Sequence, residues 1–133
     1  MNREILFRGE DIKGNWYEGL LAHNIAKDEW YISNKAGIST AYQVRPETIG
    51  QFTGLIDKNG VKIFEGDIVR CVSQLDYANM IVVFEDGEFR MVKCEDYKTY
   101  TTGNGYFSVR CFHKEVIGNI YNNSELLNAL LNT

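Results

Sequence analysis

The chain has 133 residues, 44% of them hydrophobic, with a formal net charge of −4 and a pI near 5.2. That length fits one domain, or two very small modules, with enough apolar residues to bury a core without disulfides or metal. The acidic balance argues against a general nucleic-acid binder, which relies on a basic surface. No segment approaches the roughly 20 apolar residues of a membrane span.

Eight Tyr, seven Phe, 12 Gly and a single Pro favour strands joined by tight turns. The opening MNREILFRGED is charged throughout and lacks the apolar core of a signal peptide, so the expected compartment is the cytoplasm where the chain is made. Trp16-Tyr17 and Glu29-Trp30-Tyr31-Ile32 supply strands around a loop containing His23. Arg45-Pro46-Glu47-Thr48 breaks the chain before a second module.

In that second module Asp57-Lys58-Asn59-Gly60 is a turn signal, with Gly60 available for positive φ. The runs Phe52–Ile56 and Val61–Phe64 flank it as a hairpin. Glu65-Gly66-Asp67 then opens a buried strand through Ile68-Val69 and Cys71-Val72. Met80–Phe84, the turn Glu85-Asp86-Gly87 and the alternating Glu88–Cys94 form the clearest hairpin. Asp96–Asn104 reads as an exposed loop, and Gly105–Phe112 resumes a strand. At the C-terminus, Asn123-Ser124-Glu125 is an N-cap signal for a short helix with Leu126, Leu127, Leu130 and Leu131 at helical spacing.

The chain echoes itself. Phe7-x-Gly9, Asp11, Gly14 and Tyr17-Glu18-Gly19 match Phe52-x-Gly54, Asp57, Gly60 and Phe64-Glu65-Gly66. Thr48-Ile49-Gly50-Gln51-Phe52 matches Val116-Ile117-Gly118-Asn119-Ile120. The expected architecture is therefore mainly β: two small related modules of SH3-like barrel type, residues 1–50 and 51–121, followed by a helix over 122–133.

Residue types and spacings offer no recognisable catalytic constellation. Cys71, Cys94 and Cys111 are odd in number, widely spaced and set in apolar stretches, which reads as free buried thiols. His23 and His113 lack ligand spacing, so neither zinc nor another cofactor is expected. No phosphate-binding glycine loop and no Gly-x-Ser-x-Gly elbow is present. Glu18, Glu65 and Asp67 recur at echoed positions, where turn carboxylates that accept backbone N–H bonds outweigh a cation site. Trp16, Tyr17, Trp30 and Tyr31, with Leu127, Leu130 and Leu131, are the candidates for an interaction surface, against core packing as the plainer alternative.

Four segments resemble one family in combination: REILFRGED, IGQFTGLIDKNGVKIFEGDIV, VVFEDGEF and EVIGNIYNNSELL. Together they are similar to the YopX family of phage and prophage proteins. That family's central pattern falls on Gln51, Phe52, Thr53, Gly54, Leu55, Asp57, Gly60, Ile63, Phe64, Glu65, Gly66 and Asp67, and its closing pattern on Glu115–Tyr121, including Gly118 and Asn119. The opening departs from it, with Arg8-Gly9-Glu10-Asp11 where many members have an Arg-Ala-Trp-Asp type segment. The resemblance implies a mainly β protein carried by a phage or integrated element, with no assigned enzyme activity. The functional expectation is a non-enzymatic binding or adaptor protein, acting on a protein partner or on itself. A small-barrel nucleic-acid binder is the alternative.

Overall fold

The computed structural model describes residues 4–33, 40–73, 76–97, 106–110 and 113–123. The chain divides into two units, Met1–Gly54 and Leu55–Thr133.

The first unit contains β1 (Phe7–Glu10), β2 (Trp16–Asn24), β3 (Glu29–Ser33), β4 (Ala41–Val44), a 3₁₀ turn (Pro46–Thr48) and most of β5 (Gly50–Ile56). Its strands are antiparallel and lie in the order β4-β3-β2-β1-β5. Aromatic and β-branched residues suit these half-buried surfaces. Among the described residues Ile32, Val44 and Phe52 are the buried apolar side chains of this unit. Gly9 lets β4 come close, because a Cβ there would lie 2.9 Å from the Val44 side chain. The same corner holds a buried charge: Glu10, 5% exposed, is paired with the Arg45 guanidinium. The Glu10 N–H donates to Thr48 Oγ1 and the Arg45 N–H to the Glu10 carbonyl. The expected break at Pro46 is thus a 3₁₀ turn that carries polar partners for Glu10.

One expected loop is instead strand. His23 lies inside β2, opposite Trp30 of β3, and the two rings stack at 3.8 Å. This cross-strand stack extends the ladder to Asn24.

In the second unit, the turn after Ile56 leads to β6 (Lys62–Phe64), then β7 (Asp67–Ser73), β8 (Asp76–Glu85), β9 (Glu88–Lys93), a 3₁₀ turn (Cys94–Asp96), β10 (Tyr106–Ser108) and β11 (His113–Asn119). Strands β7 to β11 form an antiparallel sheet in the order β10-β9-β8-β7-β11. Each unit therefore places its fifth strand beside its first, with the other three following outward from the first. One face buries Ile63, Val69, Cys71, Met80, Val82, Met91 and Val109. The other buries Ile68, Ile81 and Cys94, with Val83, Tyr97, Ile117 and Ile120 against them. Burial on both faces explains why Met80–Val83 is a continuous apolar run rather than an alternating one, while Phe84 at its end is exposed. The hairpin between β8 and β9 turns at Asp86 (φ 51) and Gly87 (φ 79), both left-handed, as a tight primed turn requires.

Among the described residues no ladder joins the edge strands β4 and β5 of the first unit or β10 and β11 of the second, so the sheets are open rather than closed barrels. The expected C-terminal helix, with Leu127, Leu130 and Leu131, falls beyond Asn123 and outside the described residues. No helix among the described residues is long and apolar enough to cross a membrane.

Candidate functional site

A surface cleft lies in the second unit, where two strands differ in reach. The β7–β8 ladder ends at Ile68↔Ile81, but β8 continues to Glu85 on its β9 side. Residues Val82–Glu85 therefore overhang. The Gly66 N–H donates to the Val82 carbonyl at 2.8 Å, capping the start of the overhang. Strand groups alternate in direction, so Phe84, two residues on, turns its own N–H and C=O to that same side. No described strand pairs with it there.

Beside this edge is a cleft of about 350 Å³. Ile81, Val83, Tyr97 and Ile120 give it apolar and aromatic surface, Tyr121 lies over one end, and Glu65 and Glu85 are its charged lining residues.

The echoed and family-like residues build the wall of this cleft. Asp67 is 1% exposed and its Oδ2 accepts the Phe64 N–H at 2.8 Å, closing the Glu65-Gly66 turn. Gly66 has φ +92, and a Cβ there would meet the Tyr121 ring at 2.8 Å. The Gly66 carbonyl accepts the Ile120 N–H at 3.0 Å. Asn119 Oδ1 accepts the N–H groups of Tyr121 and Asn122, and Asn123 Oδ1 accepts that of Asn119. A Cβ at Gly118 would sit 2.6 Å from Asn123 Oδ1 and displace that side chain.

Asp57, Gly60 and Glu115 belong to a second corner. Asp57 Oδ1 accepts from the Asn59 and Val61 N–H groups, while Oδ2 accepts from Val116 of β11 at 2.9 Å. Burial pushes this carboxyl up, but the N–H groups of Val116, Val61 and Asn59, with the Lys58 charge, outweigh it and hold it below the ordinary value. Lys58 also reaches Glu115 at 3.6 Å.

In the first unit Gln51 and Thr53 are half-buried in β5, Phe52 is buried, and Gly54 is exposed with φ +88. Glu18 is exposed in mid-strand β2 rather than at a turn, so it does not reproduce the Glu65 position. Strand alternation puts Trp16 and Tyr31 on one face and Tyr17 and Trp30 on the other, so the four aromatics form no common surface. Tyr17 instead stacks on Tyr42 at 4.1 Å, and Arg8 lies over Trp16 at 5.1 Å. Sequence reasoning missed Tyr42, Phe84, Tyr97 and Tyr121. The available signal was the length of the apolar run at 80–84, one strand that outlasts its neighbour.

Among the described residues no group of three or more His, Cys, Asp or Glu is placed to hold a metal. Cys71 and Cys94 are buried free thiols. Burial pushes the Cys94 thiol up to about 11, which keeps it protonated at neutral pH. Cys111 lies outside the described residues.

These features define a mainly β protein of two antiparallel sheets whose motif residues shape turns and one cleft. The model of the YopX protein family matches residues 8–128, and the chain belongs to that family. Among solved structures it is similar to protein EF1440 from Enterococcus faecalis, with a TM-score of 0.55 and 24% identity over 95% of this chain and 99% of that one. That likeness concerns the fold alone. No curated protein matches the sequence.

Proposed function

We propose that the protein is a non-enzymatic binding or adaptor protein of a phage or prophage, acting in the cytoplasm of its host cell on a protein partner or a second copy of itself. The observation that carries this reading is the unpaired β8 edge at Phe84, set beside a concave surface. Such edges recruit extended segments through main-chain bonds. The strand order of each unit is that of a small SH3-like barrel and supports the finer fold reading, although that order alone assigns no activity. The protonated Cys94 thiol counts against nucleophilic catalysis, and the reading needs no cofactor.

The nucleic-acid alternative draws on Arg8 over Trp16 and Arg70 over Tyr77, each at 5.1 Å. The net charge of −4 weighs against it.

The test is capture of partners from host lysate by the tagged full chain, with and without nuclease, alongside its mass in solution. A stoichiometric protein that survives nuclease, or a defined oligomer, supports the proposal. Material lost on nuclease treatment transfers support to the nucleic-acid alternative. An empty bait with a monomeric mass overturns the adaptor reading.

A further inference from the structure

We propose that Asn59 is a covalent modification site: it deamidates by ring closure with Gly60 when the Asp57 corner opens, and its product keeps that corner from closing again. The site is separate from the cleft, and its chemistry does not depend on the binding reading.

The sequence supplies the reactive pair. An asparagine followed by glycine lets the next backbone nitrogen reach the side-chain carbonyl, because glycine has no side chain to shield that nitrogen. The chain has two such pairs, Asn59-Gly60 and Asn104-Gly105, of which the second lies outside the described residues. Asn59 and Gly60 are both exposed, and nothing lies within 4 Å of where a Gly60 Cβ would be. Water and base therefore reach the pair.

The chemistry needs only water and base. Base takes the Gly60 amide proton, the nitrogen attacks Asn59 Cγ, and the Cγ–Nδ2 bond breaks with release of ammonia. Water then opens the resulting five-membered imide. Opening at Cγ leaves aspartate. Opening at the main-chain carbonyl leaves isoaspartate, whose backbone runs through the side chain and is one carbon longer.

The fold restrains each group that has to move. The Gly60 N–H donates to the Asp57 carbonyl at 3.0 Å, and the Asn59 N–H to Asp57 Oδ1 at 2.8 Å. The Asn59 amide Nδ2 donates to Glu115 Oε1 of β11 at 3.3 Å, which draws the side chain toward that strand. Asp57 is itself tied to β11 through the Val116 N–H, 2.9 Å from Oδ2. Ring closure thus waits for the corner to open, and its rate is the intrinsic rate scaled by the fraction of time spent open.

Either product opposes reclosure. Aspartate at 59 places a carboxylate where an amide donated to Glu115, so two like charges face each other. The Lys58 ammonium, 3.6 Å from Glu115, is one charge against both. Isoaspartate lengthens the stretch between the Asn59 and Val61 N–H groups, which Asp57 Oδ1 bridges. Both changes loosen the bonds that run from this turn to β11, one at Val116 and one from the Lys58 N–H to the Lys114 carbonyl.

The experiment holds the full chain at mildly alkaline pH, native and in guanidinium chloride, and follows conversion of residue 59 by peptide mapping. Conversion is expected to be about tenfold or more faster in the unfolded chain. Glu115→Ala removes the partner of the amide and leaves Asp57 in place, and is expected to speed native conversion about two- to tenfold. Asn59→Asp and the aged wild-type chain are both expected to show faster amide exchange at Val116 and a lower unfolding midpoint. Equal conversion of native and unfolded chains overturns the proposal, as does an Asn59 that stays intact even when unfolded. Unchanged Val116 exchange in both Asn59→Asp and the aged chain overturns the claim that the product holds the corner open.

Discussion

Asp11 and Asp57 hold the same turn. Each Oδ1 accepts the N–H groups two and four residues ahead, from Lys13 and Asn15 in one case and from Asn59 and Val61 in the other. In both, the Asp N–H bonds the carbonyl four residues on and the Gly N–H returns to the Asp carbonyl. They differ in the second oxygen. Asp11 Oδ2 accepts from the Asn15 amide and the Tyr17 hydroxyl near the surface, whereas Asp57 Oδ2 takes a backbone N–H of β11.

That difference predicts unequal costs. Asp57→Asn turns an acceptor into an NH₂ group or an unsuited rotamer facing the Val116 N–H, and is expected to destabilise by about 1–3 kcal/mol. Asp11→Asn is expected to cost less, because water reaches its partners. Urea unfolding midpoints of the two variants check the ranking.

The Asp57 carboxyl also sets an acid dependence. Its folded pKa is lowered, so its contribution is complete above the unfolded value near 3.8 and is lost as pH falls through the lower folded value. The stability gap between wild type and Asp57→Asn is expected to stay constant from about pH 7 to about pH 5 and to shrink below about pH 4. Unfolding curves at several pH values measure it.

Two glycines with left-handed backbone separate strain from crowding. Gly60 has φ +80 and nothing within 4 Å of an added Cβ, while Gly66 has φ +92 and the Tyr121 ring at 2.8 Å. Gly60→Ala is expected to cost about 1 kcal/mol and Gly66→Ala at least about 1 kcal/mol more. Thermal or chemical denaturation of both gives the answer.

Gly9 and Val44 form a coupled pair. Gly9→Ala is expected to destabilise through its clash with Val44, and Val44→Ala through a lost buried side chain. Together they should be less costly than the sum, with a coupling of about 0.5–3 kcal/mol from a double-mutant cycle. Additive losses would remove the close approach as the reason for this glycine.

The thiols offer a chemical check. With Cys111 replaced by Ser, the native chain is expected to react with a disulfide reagent only slowly, and fully after unfolding, because Cys71 and Cys94 are both buried.

What the sequence disclosed was local. Asp-x-x-Gly turns, the Asp86-Gly87 hairpin and the break at Pro46 depend on residues within a few positions, so turn chemistry reveals them. The mainly β character and the YopX relationship were legible for the same reason. The surface aromatics were not, because Trp16 and Tyr17 are neighbours in sequence yet point to opposite faces, and Tyr42 reaches Tyr17 only after three strands have paired. The Gly19–Gly66 match failed likewise: Gly19 sits in mid-strand and Gly66 in a turn, and only long-range pairing distinguishes them. The cleft depends on where one ladder stops, a quantity set by β7, β8 and the Gly66 bond together.

The placement of β11 beside β7 bears on how the chain is born. Every strand of the first unit has been synthesised by Ile56, so that sheet can assemble while the rest of the chain is still being made. The second sheet waits, because β7 receives its outer partner only when His113–Asn119 has been made. Until then the backbone groups of one β7 flank stay open to solvent and to neighbouring nascent chains. A polypeptide released early, after β9 but before β11, would carry that open flank permanently and should aggregate where the finished protein stays dispersed.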